Sequence, residues 1–366
     1  MSKFLERRLV PASSPLAVAV SMAAAVVLAL GLAAVLFSCS GANPLEAYFA
    51  LLHEPFATLR GFGYALVKAA PLTLIALGTI VCWRSGFGYL GFEGCFVIGA
   101  AVSAWPALVD VRGGLAAWIF FPLVVVLSFA AGALWAGTVG LLRARFGGNE
   151  VLISLMMNYV AILLVKYLVS GPMRSAGGLP ETEQMPRGTW LPFVLNGTRA
   201  HTGIWIAVVA VMLVWVLLRK TPLGFELIVS GLNPMAARYA GIHVGRRLMV
   251  AAGLGGGLSA LAGMVELLGV QHRLMDGISG GIGFVGIIVA LLARLNPIAV
   301  LPTALLYGGM TVGADAMQRR VGIPSSITFI LQSLIVLLVL ASQLLLRYRV
   351  NFSALWPGRI ASEETR

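Results

Sequence analysis

The chain has 366 residues, of which 59% are apolar and only 11% are charged, and its net charge is +12. Because a soluble domain carries roughly 25% charged residues, this composition excludes a soluble enzyme and a disordered chain. Three cysteines exclude a disulfide scaffold. Because the chain is so apolar, we expect a single-domain, all-α integral membrane protein.

Ten apolar stretches follow one another along the chain, and each is predicted to be a transmembrane helix. Their approximate bounds are 16–37, 62–83, 92–109, 115–141, 151–170, 203–218, 247–269, 282–293, 297–314 and 325–346. The first is longer than the apolar core of a cleaved signal peptide, roughly 7–15 residues. The stretch 282–293 is too short to cross roughly 30 Å of hydrocarbon when straight. We expect it to be a broken or re-entrant helix. The polar residues 315–320 are expected to connect the last two spans.

The distribution of positive charge predicts the orientation of these spans. With the N-terminus inside, sixteen Lys and Arg residues fall in inner segments and eight in outer segments. Cytoplasmic loops normally carry this excess, so both tails, 1–15 and 347–366, are predicted to be cytoplasmic. The basic balance is thereby explained without nucleic acid as a partner.

Sequence motifs for enzymatic chemistry or metal binding are missing. None of the four lysines follows a glycine, so there is no Walker A loop, and neither H-E-x-x-H nor C-x-x-C occurs. We therefore expect no catalytic residue, no metal and no cofactor in this chain. Two G-x-G-x-x-G runs, at 86–91 and 281–286, lie against membrane spans rather than in the strand–turn–helix context of a dinucleotide site.

The same two glycine runs predict an internal repeat. They lie 195 residues apart with five predicted spans between them, which places one at the inner face and one at the outer face. An odd number of intervening spans gives opposite orientations, so we expect two inverted five-helix halves. The alternative is that glycine, at 43 of 366 residues, simply recurs by frequency.

The long inner connection, 219–247, is predicted to contain a short helix. Asn233 is suited to the N-cap, Pro234 to the first helical position and Gly241 to the end. The segment 231–242 resembles the "EAA" loop of ATP-binding-cassette importer permeases, in which a short cytoplasmic helix docks on a separate ATPase. The resemblance implies these docking residues: Asn233, Pro234, Ala236, Ala237, Arg238 and Gly241. An ordinary capped loop helix is the alternative.

Further segments extend the resemblance over about 71–345. Residues 147–159, 269–279, 316–319 and 321–325 are similar to segments of the branched-chain-amino-acid and ribose permease superfamily, in its nucleoside or simple-sugar branch. This resemblance implies a permease subunit in a bacterial cytoplasmic membrane. It also implies three partners: a second permease, an extracytoplasmic binding lipoprotein, and an ATPase with two nucleotide-binding domains that holds ATP-Mg.

One segment departs from the family pattern. Where the family often has Phe-Asn-Ile-Gly-x-Glu-Gly-Gln, residues 88–95 match at Glu93 and Gly94 but have Tyr89 and Cys95 at the Asn and Gln positions. If those polar groups touch substrate in the family, the substrate of this chain is open to question.

Polar residues inside spans are costly and usually face the bundle interior or an aqueous path. The candidates for the substrate path are Glu93, Asn158, Glu266, Gln271, His272 and Asp276. Asn158 can donate and accept hydrogen bonds to a base or a ribose hydroxyl. The alternatives are that Asn158 caps or bridges helices and that Glu266 pairs with Lys166 or Arg273.

These observations favour the permease of a nucleoside importer driven by ATP hydrolysis in a partner. A simple-sugar importer is the alternative of the same class. An ion-coupled secondary transporter is the alternative of another class, supported by the intramembrane Glu93 and Glu266 and by the predicted inverted repeat. A membrane-embedded enzyme is disfavoured by the missing motifs.

Overall fold

The computed structural model describes residues 5–7, 15–109, 117–195, 197–322 and 324–350, so most of both predicted tails lies outside the described residues. Thirteen α-helices occur in this part of the chain. They are α1 Pro15–Cys39, α2 Pro44–Ala57, α3 Leu59–Arg84, α4 Phe92–Val109, α5 Ala117–Phe146, α6 Glu150–Ser170, α7 Gly203–Lys220, α8 Pro222–Leu232, α9 Pro234–Tyr239, α10 Val244–Glu266, α11 Ile282–Leu292, α12 Pro297–Val321 and α13 Ser325–Arg347. Strands β1 (Leu5–Arg7) and β2 (Tyr348–Val350) pair as a two-stranded antiparallel ribbon.

The chain folds as two compact units. The first contains residues 1–51 and 314–366, in which α1 packs against α13. The second contains residues 52–313 and holds every candidate site residue. Its core is a set of helices in which α10 packs against α3, α4 and α5.

Glycines and alanines allow these helices to approach backbone to backbone. A Cβ atom added to Gly99 of α4 would lie 2.1 Å from the Ala260 carbonyl oxygen of α10, and one added to Gly132 of α5 would lie 2.3 Å from that of Gly256. Small residues are the usual means of helix association in membranes, because lipid offers no hydrophobic driving force between helices. The central helix α10 therefore depends on its lack of side-chain bulk.

Two helices of this core begin after irregular backbone. Residues 85–91 separate α3 from α4, while α10 continues into a π-helical turn, Leu267–Gln271, and an irregular segment, 272–281, before α11. The contacts are reciprocal, since α4 packs on α10 and α11 packs on α3. Such an exchange is compatible with an inverted repeat, and the two inverted five-helix halves remain a prediction.

Each of the ten predicted spans coincides with a helix, but the number of crossings is not settled at ten. Among the described residues, seven helices are long and apolar enough to span, or eight if α1 and α2, bent by 118°, form one broken span. Helix α11 has 11 residues, roughly 16 Å, so the prediction that 282–293 is too short for a straight span is confirmed.

Three boundaries differ from the sequence prediction. Helices α2 and α8 occupy segments predicted as connections, and α12 continues through the polar residues 315–320 to Val321. Apolarity located the spans, but a helix needs no apolar run once tertiary contacts and caps support it. Thr221 caps α8 by accepting the Gly224 N–H, and Arg319 and Arg320 lie favourably in the last turn of α12.

Candidate functional site

The helix starts of α4 and α11 meet at the Glu93 carboxylate. Oε1 accepts the Gly281 N–H at 3.1 Å, and Oε2 accepts the Gly283 N–H at 2.6 Å. Glu93 is 4% exposed, and a Cβ atom added to Gly283 would lie 2.4 Å from the Cα atom of Glu93. One buried carboxylate thus caps a helix 190 residues later in the chain and balances the positive ends of two helix dipoles. Both glycine runs belong to this one junction.

Asn158 of α6 holds the other side of the same junction. Its Nδ2 donates to the Leu90 carbonyl oxygen at 3.0 Å, and its Oδ1 accepts the Gly94 N–H at 2.8 Å. Since Asn158 lies eight residues into α6, its contacts with Leu90 and Gly94 are roughly 12 Å from the start of that helix. Irregular backbone at this depth is tolerated because protein groups satisfy its hydrogen bonds. This geometry corresponds to the bridging alternative for Asn158.

Tyr89 and Cys95, the two departures from the family pattern, contact each other. The Tyr89 hydroxyl and the Cys95 thiol are 3.0 Å apart, and both side chains are fully buried. Phe87 stacks on Tyr89 and Phe92 packs edge-on against it. Tyr89 and Cys95, at the positions where the family often has Asn and Gln, therefore satisfy each other inside the junction.

A buried carboxylate lies on the last turn of α10. Glu266 is 1% exposed; its Oε1 accepts from Gln271 Nε2 at 3.1 Å and lies 4.0 Å from Lys68 Nζ. Its Oε2 has no hydrogen-bond partner among the described residues. Lys166 and Arg273, the partners named in the alternative for Glu266, pair instead with Asp276 and Glu181. Because a buried oxygen without a partner is costly, this atom is suited to accept a hydrogen bond from a ligand.

The segment after the π-helical turn is fastened to the long connection 171–202. Arg273 forms an ion pair with Glu181 at 2.6 Å, and Asp276 lies 3.6 Å from Lys166 of α6. Backbone hydrogen bonds join the same two segments: Thr182 N–H to Leu274, Met185 N–H to His272 and Leu191 N–H to Leu268. This connection is therefore an ordered cover over the end of α10.

Two histidines and a tryptophan form the centre of that cover. His272, with a left-handed φ of 55°, stacks on Trp190 at 3.8 Å between ring centroids. His201 is fully buried against Gly269, and burial together with the neighbouring His272 lowers the pKa of His201 to about 4. Burial, with Arg199 nearby, also lowers the pKa of His272. Both rings are held in the neutral form.

The predicted short helix in the connection 219–247 is present as α9. Asn233 Oδ1 accepts the N–H groups of Met235 and Ala236, Pro234 occupies the first turn, and Gly241 has φ 80°. Ala237 is buried, whereas Ala236 and Arg238 are exposed. The predicted caps are confirmed as helix caps.

Several residues of the site carry no obvious signal in the sequence. Lys68, Glu181, Trp190 and His201 come from segments distant from their partners, and only the fold brings them together. The candidates fall into two groups: Glu93 and Asn158 at the junction, and Glu266, Gln271, His272 and Asp276 beneath the cover.

Comparison with known proteins gives a consistent set of similarities. The family described as "Branched-chain amino acid transport system / permease component" matches residues 61–340. A glucose ABC transporter permease of Haloferax volcanii is 32% identical over 90% of this chain and 88% of its own length. A guanosine ABC transporter permease of Bacillus subtilis is 32% identical over 87% of this chain and 92% of its own. A nucleoside ABC transporter permease of Lactococcus lactis is 30% identical over 86% and 88%.

Proposed function

Because this chain belongs to the family of branched-chain amino acid transport system permease components, we propose that it lines the membrane passage of a nucleoside importer. The family expected from the sequence motifs is confirmed. The chain is a multi-pass membrane permease subunit of the ATP-binding-cassette type. The nucleoside assignment draws on its likeness, over most of both chains, to permeases named for guanosine and nucleosides.

Glu266 is the residue we propose for substrate recognition. A carboxylate oxygen that is buried and unpartnered among the described residues is suited to accept from the N–H groups of a nucleobase. Gln271 and Lys68 hold the other oxygen, which orients the group. Glu266→Gln keeps the shape but replaces half of this acceptor with a donor, so we expect transport to fall while stability is retained. Glu150→Gln makes the same exchange at a carboxylate outside the cover, in an ion pair with Arg143, and is the matched control.

A simple-sugar substrate is the second candidate, because the Haloferax volcanii relative is named for glucose. The two are distinguished with the transporter reconstituted in proteoliposomes together with its ATPase, second permease and binding protein. Guanosine-loaded binding protein should accelerate ATP hydrolysis and glucose-loaded protein should not. Acceleration by glucose alone would replace the nucleoside assignment with the sugar assignment.

We propose that α9 docks on the partner ATPase, where ATP-Mg is bound. The observation that carries this is an exposed apolar face: Leu232, Met235 and Tyr239 are 80, 66 and 89% exposed where α8 ends and α9 follows. Exposed apolar side chains outside the lipid layer mark an interaction surface. With α9 cytoplasmic, the cover formed by residues 171–202 faces the outside, where the binding lipoprotein would dock.

Ala236→Glu tests this docking because the side chain is exposed while its neighbour Ala237 is buried. The variant should insert and fold normally, yet lose co-purification with the ATPase and substrate-stimulated hydrolysis. Ala237→Glu is the contrasting control, since a charge there should destabilise the chain itself. Normal import by the Ala236→Glu variant would show that α9 is not the docking element.

The proposed orientation is tested by cysteine labelling in spheroplasts. Cys82 and Cys95 are buried, so only the exposed Cys39 needs replacement. An impermeant maleimide should label a cysteine at position 187 and spare one at position 145. The reverse pattern would invert the topology and place α9 outside.

A further inference from the structure

A cavity of about 640 Å³ lies where α5 ends and α10 begins. Its walls include Leu141 and Arg145 of α5, Arg238 of α9, and Arg246 and Met249 of α10. The lining of the cavity thus combines cationic side chains with apolar side chains. It is separate from the junction at Glu93 and from the cover over α10.

The positive charge of this cavity is not compensated within the described residues. Arg145, Arg238 and Arg246 are exposed, and none forms an ion pair with a described carboxylate. The nearby acids are already used by other arginines, since Glu150 pairs with Arg143 at 3.2 Å and Glu226 pairs with Arg247. Three uncompensated guanidinium groups around one cavity favour an anionic ligand with several acceptor oxygens.

The cavity lies at the level of the membrane interface. Its α5 and α10 walls belong to the last and first turns of two spans, Trp118–Phe146 and Val244–Gln271. On the same turn of α5, Leu141, Leu142 and Phe146 are exposed large apolar residues, as expected for a lipid-facing surface. The Arg145 guanidinium lies 5.9 Å from the Phe146 ring centroid, an arrangement suited to the headgroup region.

We propose that this cavity binds the phosphate headgroup of an anionic glycerophospholipid. The guanidinium groups would hold the phosphodiester, and an acyl chain would lie along Leu141 and Met249. The apolar walls favour a lipid over an acidic protein segment, because they continue into the lipid-facing surface of α5. Basic pockets between helices at the cytoplasmic end of a membrane protein are suited to such headgroups.

The test uses the purified full chain in dodecyl maltoside, titrated with dioleoylphosphatidylglycerol and followed by native mass spectrometry and thermal unfolding. Dioleoylphosphatidylcholine is the neutral comparison. The variant Arg145→Gln/Arg246→Gln leaves Arg238 of the proposed docking helix intact. We expect its affinity for phosphatidylglycerol to fall roughly thirtyfold, since each basic residue near an anionic surface contributes about fivefold and two such factors multiply. The matched control is Arg219→Gln/Lys220→Gln, which removes equal charge from exposed positions at the end of α7.

Three results would overturn the proposal. Equal binding of the neutral and anionic lipids would exclude headgroup recognition. An equal loss of phosphatidylglycerol affinity in both double variants would show that net charge, and not this cavity, attracts the lipid. Competition by glycerol 3-phosphate or inorganic phosphate at the lipid's own affinity would identify a soluble phosphate as the ligand. Failure of the nucleoside assignment leaves this measurement unchanged, because it requires neither substrate nor partner.

Discussion

Replacing Glu93 with Gln should destabilise the permease without removing any apolar contact. The carboxylate accepts the Gly281 and Gly283 N–H groups and is 4% exposed. Gln supplies one oxygen and presents its NH₂ to the other N–H, so one charge-assisted bond is lost, at about 1.5–3 kcal/mol. The other becomes neutral and the charge at two helix starts disappears, which together cost about 1–2 kcal/mol. We therefore expect a loss of about 3–4 kcal/mol.

The assay is unfolding of the purified chain in mixed micelles by stepwise addition of dodecyl sulfate, followed by circular dichroism. Hydrogen exchange of the peptide containing 278–286 provides the local measurement, because the Gly281 and Gly283 amides should exchange faster in the variant. Glu150→Gln is the control. Its ion pair with Arg143 is partly exposed, with side-chain exposures of 15% and 40%, and such a pair contributes roughly 0.5 kcal/mol.

An unchanged exchange rate at the start of α11, with less than about 1 kcal/mol of destabilisation, would refute the capping role. If transport were lost while stability and exchange stayed normal, Glu93 would instead contact the substrate.

Three further predictions follow from the same structure. Asn158→Leu should destabilise the chain by roughly 3 kcal/mol, measured by the same unfolding assay, because the Leu90 carbonyl and the Gly94 N–H both lose their partner; a transport defect with unchanged stability would contradict this. Stability should decline as the pH falls from about 6.5 towards 4, because the unfolded chain binds a proton that buried His201 refuses, and a pKa of about 4 makes the full loss about 3 kcal/mol; His201→Gln should flatten this dependence in thermal unfolding followed by tryptophan fluorescence. Arg273→Glu should loosen the cover and raise proteolysis of residues 171–202, and the added change Glu181→Arg should restore protection; protection already complete in the single variant would show that the ion pair does not hold the cover.

The spans and the caps could be predicted from the sequence because they depend on local properties. Long apolar runs need helices in lipid, and Asn233 caps α9 with its own side chain. Helix α2 was missed because its interior contains Pro55 and its residues show no uninterrupted apolar run. The pairing of Glu93 with Gly281 could not be read from either segment alone, since it joins residues 188 positions apart.

The candidate site was predictable by residue type and only partly by role. Glu93, Asn158 and Glu266 are buried, whereas Asp276 is exposed. Glu93 and Asn158 both bind backbone groups, and because every segment has such groups, no sequence pattern specifies these partners. Among the described residues, Glu266 is the candidate whose carboxylate has an oxygen without a hydrogen-bond partner. Its neighbour in the structure is Lys68, which lies almost 200 residues earlier in the chain.

The shortness of α11 has a consequence for how the protein is made. A segment of 11 residues is too short to enter the bilayer as a span of its own, and its first N–H groups need an acceptor. That acceptor, Glu93, is synthesised some 190 residues earlier. We therefore expect the start of α4 to stay accessible until α11 has been synthesised. Assembly of the bundle is then ordered, because α11 can pack only after the first half, which contains Glu93, is in place.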